Sequence, residues 1–293
     1  MSLMWDTLSL LVLGCHVRVQ CQDAESRALL VANYGHMQGS RGPATLQYTV
    51  ARQARGGGFL VSRAGREPLS ASDPGMLLFL FEKDMTVEIE KLRPDLYFVH
   101  AAVLALEHAA VMLVGESGSG KSTTTWALLH HGCRYFSDEL GPLDLQTGEV
   151  YPYPHALCLK DVPPGSYPLP KNTLYTARTL HIPTAALPST VGEDPAPLAA
   201  IFFLQYRPEA AAPVIEPLSK AEAAARLFAN ALNPLAHVGD GLDGAIKIAT
   251  TVACVKLFSA DLMATCALVR TTLKRLFSNE ETKRCLQEQW PHP

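Results

Sequence analysis

The chain has 293 residues, 48% hydrophobic and 18% charged, which suits a globular protein with one large domain or two small ones and excludes a disordered chain. Its net charge is −3 with no basic run, so nucleic acid is excluded as an expected partner. Seven scattered cysteines without a Cys-x-x-Cys pair argue against a disulfide framework or a zinc site, and fit reduced thiols in a cytoplasmic protein.

Leu8 to Cys15 (LSLLVLGC) faintly resembles a secretory signal, but Asp6 precedes it and no Lys or Arg does, so a first strand is the preferred reading. Alternation in His16-Val17-Arg18-Val19-Gln20 extends that strand to Cys21. Asp23 then caps a helix from Glu25 to Tyr34, closed by Gly35. Thr45 to Ala54 and Phe59 to Ser62 read as a hairpin turned by Gly56, Gly57 and Gly58. Ser70 or Ser72 opens a helix over Pro74 to Leu92, broken at Pro94. This first stretch, 1–94, holds no catalytic constellation and reads as a small α+β domain for substrate recognition or packing.

A second domain, 95–293, is expected to be α/β. Leu96 to His100 begins a strand, and Ala102 to Leu106 pairs with Ala110 to Val114 around Glu107 and His108, which also interrupt the apolar run, so no membrane span is expected. Thr123 to His131 follows as a helix stopped by Gly132, then a strand at Cys133 to Phe136. Six prolines between Tyr151 and Pro170 argue against regular structure there and for an ordered loop over the site. Ala199 to Leu204 is an apolar strand, and Ser219 with Glu222 forms a capping box before a helix over Ala221 to Leu232. A helix at Leu242 to Ala253, a strand at Val255 to Phe258 and a last helix capped by Asp261 complete the chain.

The chemistry centres on Gly115-Glu116-Ser117-Gly118-Ser119-Gly120-Lys121-Ser122, a P-loop pattern between an apolar strand and a helix. Glycines allow positive φ and close approach of backbone N–H groups to phosphate, and the helix dipole adds positive charge at the same spot. Gly115 to Thr123 is therefore the expected nucleotide-binding segment, with Lys121 reaching the β- and γ-phosphates and Ser122 taking Mg²⁺. Asp138 and Glu139 follow Lys121 after one helix and one strand, which places them at the carboxyl end of the strand expected next to the P-loop strand. One acid can hold Mg²⁺ with Ser122, and the other can accept a hydroxyl proton. His100 ends a neighbouring strand and either orients Asp138, moves a proton, or is a satisfied core histidine. Lys160 in the proline-rich segment and Arg207 beyond the apolar strand can neutralise phosphate charge or be ordinary surface cations. His130 and His131 read as dipole-compatible surface residues.

The run Val99-His100-Ala101, then GESGSGKSTTTWALLHHGCRYFSDEL about fourteen residues on, resembles the catalytic core of the HPr serine kinases, whose fold is shared more distantly by phosphoenolpyruvate carboxykinases. The resemblance is specific over 96–140, loose over 141–275, and does not reach 1–90. It implies an HPr kinase-like core, ATP and Mg²⁺, with Asp138 as base, Glu139 as metal-site carboxylate and His100 as its partner. Two departures stand out. Glu139 replaces the family's Asp, and PYPHALCLKDVPPGSYPLP stands where the bifunctional kinase/phosphorylases carry an Arg-Gly-Leu-Gly signature. The chain is more similar to HPr-kinase-like proteins found beside peptide-modification genes, some of which phosphorylate a serine of a lasso-peptide precursor.

The expected activity is transfer of the γ-phosphate of ATP to a hydroxyl, a serine of a peptide or small protein. Two alternatives stay open: a kinase for free serine or a sugar, and a nucleotide-binding regulatory ATPase. Guanine-specific Asn-Lys-x-Asp and transporter Leu-Ser-Gly-Gly motifs are absent. The acceptor and homo-oligomerisation are left open.

Overall fold

The computed structural model describes residues 5–39, 42–54 and 57–278, so Gly56 and Cys285 lie outside the described residues. In chain order, β1 (Asp6–Val12), β2 (Cys15–Cys21), α1 (Ala24–Tyr34), β3 (Leu46–Arg52), β4 (Phe59–Arg63), β5 (Leu69–Ala71) and α2 (Pro74–Leu92) come first. They are followed by β6 (Leu96–Leu106), β7 (Ala109–Val114), α3 (Lys121–His130), β8 (Arg134–Ser137), β9 (Leu140–Asp144) and β10 (Glu149–Val150). Then come β11 (Leu157–Leu159), β12 (Leu174–Tyr175), β13 (Leu180–Ile182), β14 (Ala196–Tyr206) and β15 (Val214–Pro217). The last elements are α4 (Lys220–Ala229), α5 (Leu242–Thr251), β16 (Ala253–Ser259) and α6 (Leu262–Ser278). Six described cysteines are free thiols. Among the described residues no helix is long and apolar enough to cross a membrane.

The protein is mixed α/β and divides into two compact units. The first takes the described residues up to Arg93 together with 154–164 and 168–187; the second takes 94–153, 165–167 and the described residues from 188 on. The sequence reading assigned all of 154–187 to the second domain.

In the first unit the sheet order is β1-β2-β3-β4-β5, with only β2 and β3 parallel. Period-two alternation sends Val17, Val19, Tyr48, Val50, Phe59 and Val61 into the core. The helix α2 covers them with Leu77, Phe81, Met85 and Ile89 on one stripe, and Phe81 meets Tyr48 edge-on at 5.0 Å. Two expectations need correction here. Leu8–Cys21 is a hairpin rather than one strand, because Leu13 (φ +48) and Gly14 (φ +80) make a two-residue left-handed turn. The cap of α2 is Asp73, whose carboxylate accepts from Met76 N at 2.9 Å, while Ser70 sits in β5.

The proline-rich segment also departs from expectation, since it carries β11. Pro154 and Pro163 flank these three residues and leave them free to pair with β13, which in turn pairs with β12. This small sheet is stitched to α1: Ala156 N donates to Asn33 O at 2.7 Å, and the buried His181 sits 2.6 Å from Asn33 Oδ1.

In the second unit the sheet runs β10-β9-β6-β7-β14-β16-β15. The adjacent strands β7, β14 and β16 are parallel; β7 and β14 are near-continuously apolar, as strands buried on both faces are, while the first four residues of β16 are half-buried. Their carboxyl ends, Val114, Tyr206 and Ser259, lie at one edge. Met112, Val114, Ile201 and Phe203 join Ala223, Leu227, Ala245 and Ile248 of α4 and α5 in one core. The strand β6 is paired along its whole length: β7 and β8 flank its second half, and β9 flanks its first. On the other side of that first half, Leu232 N donates to Phe98 O and the amide of Asn233 bridges Phe98 N and Leu96 O.

Candidate functional site

The Gly115–Ser122 segment links β7 to α3 at the carboxyl edge of the parallel strands. Each of three glycines has its own reason to be there. A Cβ on Gly115 would lie 2.6 Å from Leu204 O of β14 and 2.7 Å from Ser119 Oγ. Gly118 (φ +86) and Gly120 (φ +92) hold left-handed backbone, and Gly120 is the N-cap of α3. Ser119 N donates to Glu116 O at 3.1 Å, and Thr124 N to Gly120 O at 2.8 Å.

Lys121 is the first residue of α3 and only 8% exposed. Its ammonium donates to Gly115 O at 2.6 Å and to Glu116 O at 3.3 Å, so the loop is wrapped around a charged nitrogen. Burying that charge is costly unless it is hydrogen-bonded, and these two carbonyls supply acceptors for it. Ser122 and Thr123 are half-buried beside it, while Glu116, Ser117 and Gly118 are exposed. Trp126 fixes the helix behind the loop through its indole N–H, which donates to Tyr167 O at 3.0 Å.

The acids stand in a different place from the one the sequence suggested. The strand β8 pairs with β6 and not with β7. Both β8 and β9 run antiparallel along the same side of β6, so Asp138 and Glu139 form the break between two parts of one line. Ser137 Oγ accepts from Leu140 N across that break. The register still keeps them level with the loop: Ala101 N donates to Glu139 O at 3.3 Å, and Ala101 pairs with Val114 on its other side. Two strand spacings separate Glu139 from Val114, roughly 10 Å between backbones.

The two acids have unlike surroundings. Asp138 is 1% exposed, whereas the side chain of Glu139 is 52% exposed. His100 Nε2 lies 3.0 Å from Glu139 Oε2, so the histidine orients Glu139 rather than Asp138. The backbone of His100 is held by Leu140 on one side and by Asn230 O on the other, at 2.8 Å.

Arg207 follows β14 at the same edge as the loop. Its guanidinium lies over the Phe258 ring at 3.4 Å, and its backbone N–H donates to Ser259 O at 2.8 Å. Lys160 is an exposed residue of the first unit. Gly115 to Thr123, His100, Asp138, Glu139 and Arg207 all belong to the second. His131 is more engaged than a surface residue, since its Nε2 lies 2.9 Å from Tyr167 Oη; His130, whose pKa is lowered by partial burial and by His131, packs edge-on against Trp126 at 4.6 Å. Among the described residues no group of three His, Cys, Asp or Glu side chains is arranged for a metal ion.

Sequence reasoning missed Leu204, Tyr167 and Asn233. Leu204 acts through its carbonyl and Tyr167 through both carbonyl and hydroxyl, so neither carries a motif. Asn233 followed by Pro234 is a turn signal that, read with the first half of β6, which β7 does not reach, points to a side-chain amide closing a strand.

No family model matches the sequence, and no curated protein does. Among solved structures, the Hpr(Ser) kinase/phosphatase from Coxiella burnetii is similar over 62% of this chain and 99% of its own, at 14% identity and a TM-score of 0.30.

Proposed function

We propose that the protein is an ATP- and Mg²⁺-dependent kinase that phosphorylates a hydroxyl, a serine of a peptide or small protein. The observation that carries the reading is Lys121 folded onto the carbonyls of Gly115 and Glu116, behind two left-handed glycines at the start of a helix. An ammonium held in this way fits a phosphate cradle: it can turn outward to an anion while the loop keeps its shape. The donor set also fits, with the Ser122 hydroxyl and the Glu139 carboxylate as oxygen ligands for a hard divalent ion. The bound nucleotide with its ion supplies the phosphoryl group and the neutralisation of its charge.

The residues of the chain then divide the work. Backbone N–H groups of Gly118, Gly120, Lys121 and Ser122 hold phosphate oxygens, and the Lys121 ammonium adds a point charge there. His100 keeps Glu139 in one orientation. Asp138, withdrawn from water, takes the proton from the acceptor hydroxyl, an effect of about 10²–10⁴-fold for a well-placed base. Arg207, fixed against Phe258 at the strand ends, adds positive charge to the edge of the cleft.

The test is transfer of label from γ-labelled ATP to serine-containing peptides in the presence of Mg²⁺. Labelled peptide with the intact chain and a loss of at least about 100-fold with Asp138→Asn supports the assignment. Equal labelling by both removes Asp138 from its role, and labelling by neither removes the kinase reading.

A further inference from the structure

The outer face of the first unit's sheet holds a second recognition feature. Residues directly opposite one another on neighbouring strands share a face, so the pairing defines its rows. Gln20, Thr49 and Ser62 stand in one row, and Ser9, Arg18 and Gln47 in the next. These side chains alternate with the buried Val17, Val19, Tyr48 and Val50, and therefore lie on the side away from the core. Leu11, 46% exposed, and the half-buried Leu60 lie at the margins of this polar block.

Polar residues on an open sheet face are ordinary. Two things here are not. A pocket of about 280 Å³ opens there, and Arg18, Gln20, Gln47, Thr49 and Ser62 of this face are part of its lining. Its one cation is also unmatched. Arg63, opposite the buried Tyr48, belongs to the core side, 2.6 Å from Asp84 and 3.1 Å from Glu88 of α2. Arg18 is half-buried, and its cross-strand neighbours are Ser9 and Gln47; among the described residues no carboxylate lies within ion-pair distance of it. An opposite charge across the strand, the arrangement that stabilises such a pair, is not provided by these two neighbours.

We infer that this pocket binds an acidic peptide segment, with Arg18 taking a side-chain carboxylate and the flanking amides and hydroxyls taking peptide groups. Charge complementarity selects the anion. Guanidinium binds carboxylate through two parallel N–H donors, and Gln20 and Gln47 on either side each offer a donor and an acceptor suited to an extended backbone. A peptide is chosen over a free small anion because the hydrogen-bonding groups spread over three strands around a single charge. The inference does not rest on phosphotransfer, since the binding needs no nucleotide.

The experiment is fluorescence anisotropy with the full chain in low-salt buffer without nucleotide. The probe is fluorescein-labelled Gly-Asp-Gly-Glu-Gly-Asp, compared with the same dye on Gly-Asn-Gly-Gln-Gly-Asn. The acidic peptide should bind and the neutral one should not. Arg18→Gln should weaken the acidic peptide by at least about tenfold, as loss of a charge-assisted pair does. Thr49→Val should weaken it less, and added salt should weaken it progressively. Absence of binding, equal binding of both peptides, or unchanged affinity in Arg18→Gln overturns the inference. Displacement of the peptide by an equal concentration of free glutamate overturns the choice of a peptide. Each result is read independently of whether any phosphate is transferred.

Discussion

His100 Nε2 lies 3.0 Å from Glu139 Oε2, tying the middle of β6 to the break between β8 and β9. Both side chains are more than a third exposed, so the pair contributes little stability, less than about 1 kcal/mol. Its value lies in orientation. His100→Ala should therefore leave thermal unfolding nearly unchanged while raising the Mg²⁺ concentration for half-maximal phosphotransfer by about 10–100-fold, the usual effect of losing a residue that positions a metal ligand. A Mg²⁺ titration beside a melting curve separates the two effects, and an unaltered Mg²⁺ response would show the pair to be a surface contact only.

The loop glycines should differ in how they fail. Gly118→Ala adds a methyl group into open space, so its cost is left-handed backbone alone, about 1–2 kcal/mol. Gly115→Ala forces its Cβ to 2.6 Å from Leu204 O and should cost more. Urea midpoints of the two variants should fall in that order. The reverse order would contradict the packing of the loop against β14.

A third prediction concerns pH and the first unit. Burial, helped by nearby His155, lowers the His181 pKa to about 4, so the ring is neutral in the fold, with Nδ1–H donating to Asn33 Oδ1 and Nε2 accepting from the Thr179 hydroxyl. Its unfolded value is near 6.5, so the unfolded chain binds a proton first as pH falls. The stabilisation is complete above about 6.5 and lost between there and about 4, some 2 kcal/mol between pH 7 and 4.5. Glu90 opposes this. Burial raises its pKa to about 7, against the pull of Lys91, and a raised carboxyl stabilises at low pH and loses that contribution as pH rises through about 7. The two slopes oppose one another, and in the intact chain the lowered His130 adds to the loss at low pH. His181→Gln exposes the difference: it should cost about 2 kcal/mol less at pH 4.5 than at pH 7 by urea unfolding. A cost independent of pH would mean that His181 titrates normally.

The sequence was most informative where local chemistry decides local structure. The caps at Asp23 and Asp261 form as read, with the carboxylate of Asp261 accepting from Ala264 N at 2.8 Å, because a side chain three residues from its donor needs nothing else from the fold. At Ser219 only half of the capping box forms, its hydroxyl accepting from Glu222 N while the Glu222 carboxylate pairs with Arg226 and Lys256. The apolar strand before Gly115 and the stop at Gly132 (φ +86) were legible for the same reason. Strand order was not. Nothing in Cys133 to Glu139 says that β8 pairs with β6, since antiparallel register is set by partners distant in sequence. The proline count misled for a related reason: prolines exclude a long ladder but leave room for the three paired residues of β11. Spacing singles out Lys121 and Asp138 as candidates. The carbonyls that hold Lys121, and the preference of His100 for Glu139, depend on packing that no motif encodes.

Gly115 to Ser122 is the proposed grip for a nucleoside triphosphate. Isothermal titration of MgATP into the intact chain and into Lys121→Ala tests this most directly. Saturable binding at one site per chain, weakened at least about tenfold by the substitution, is the predicted result. Equal affinity in both proteins, or no heat of binding in the intact chain, would contradict it.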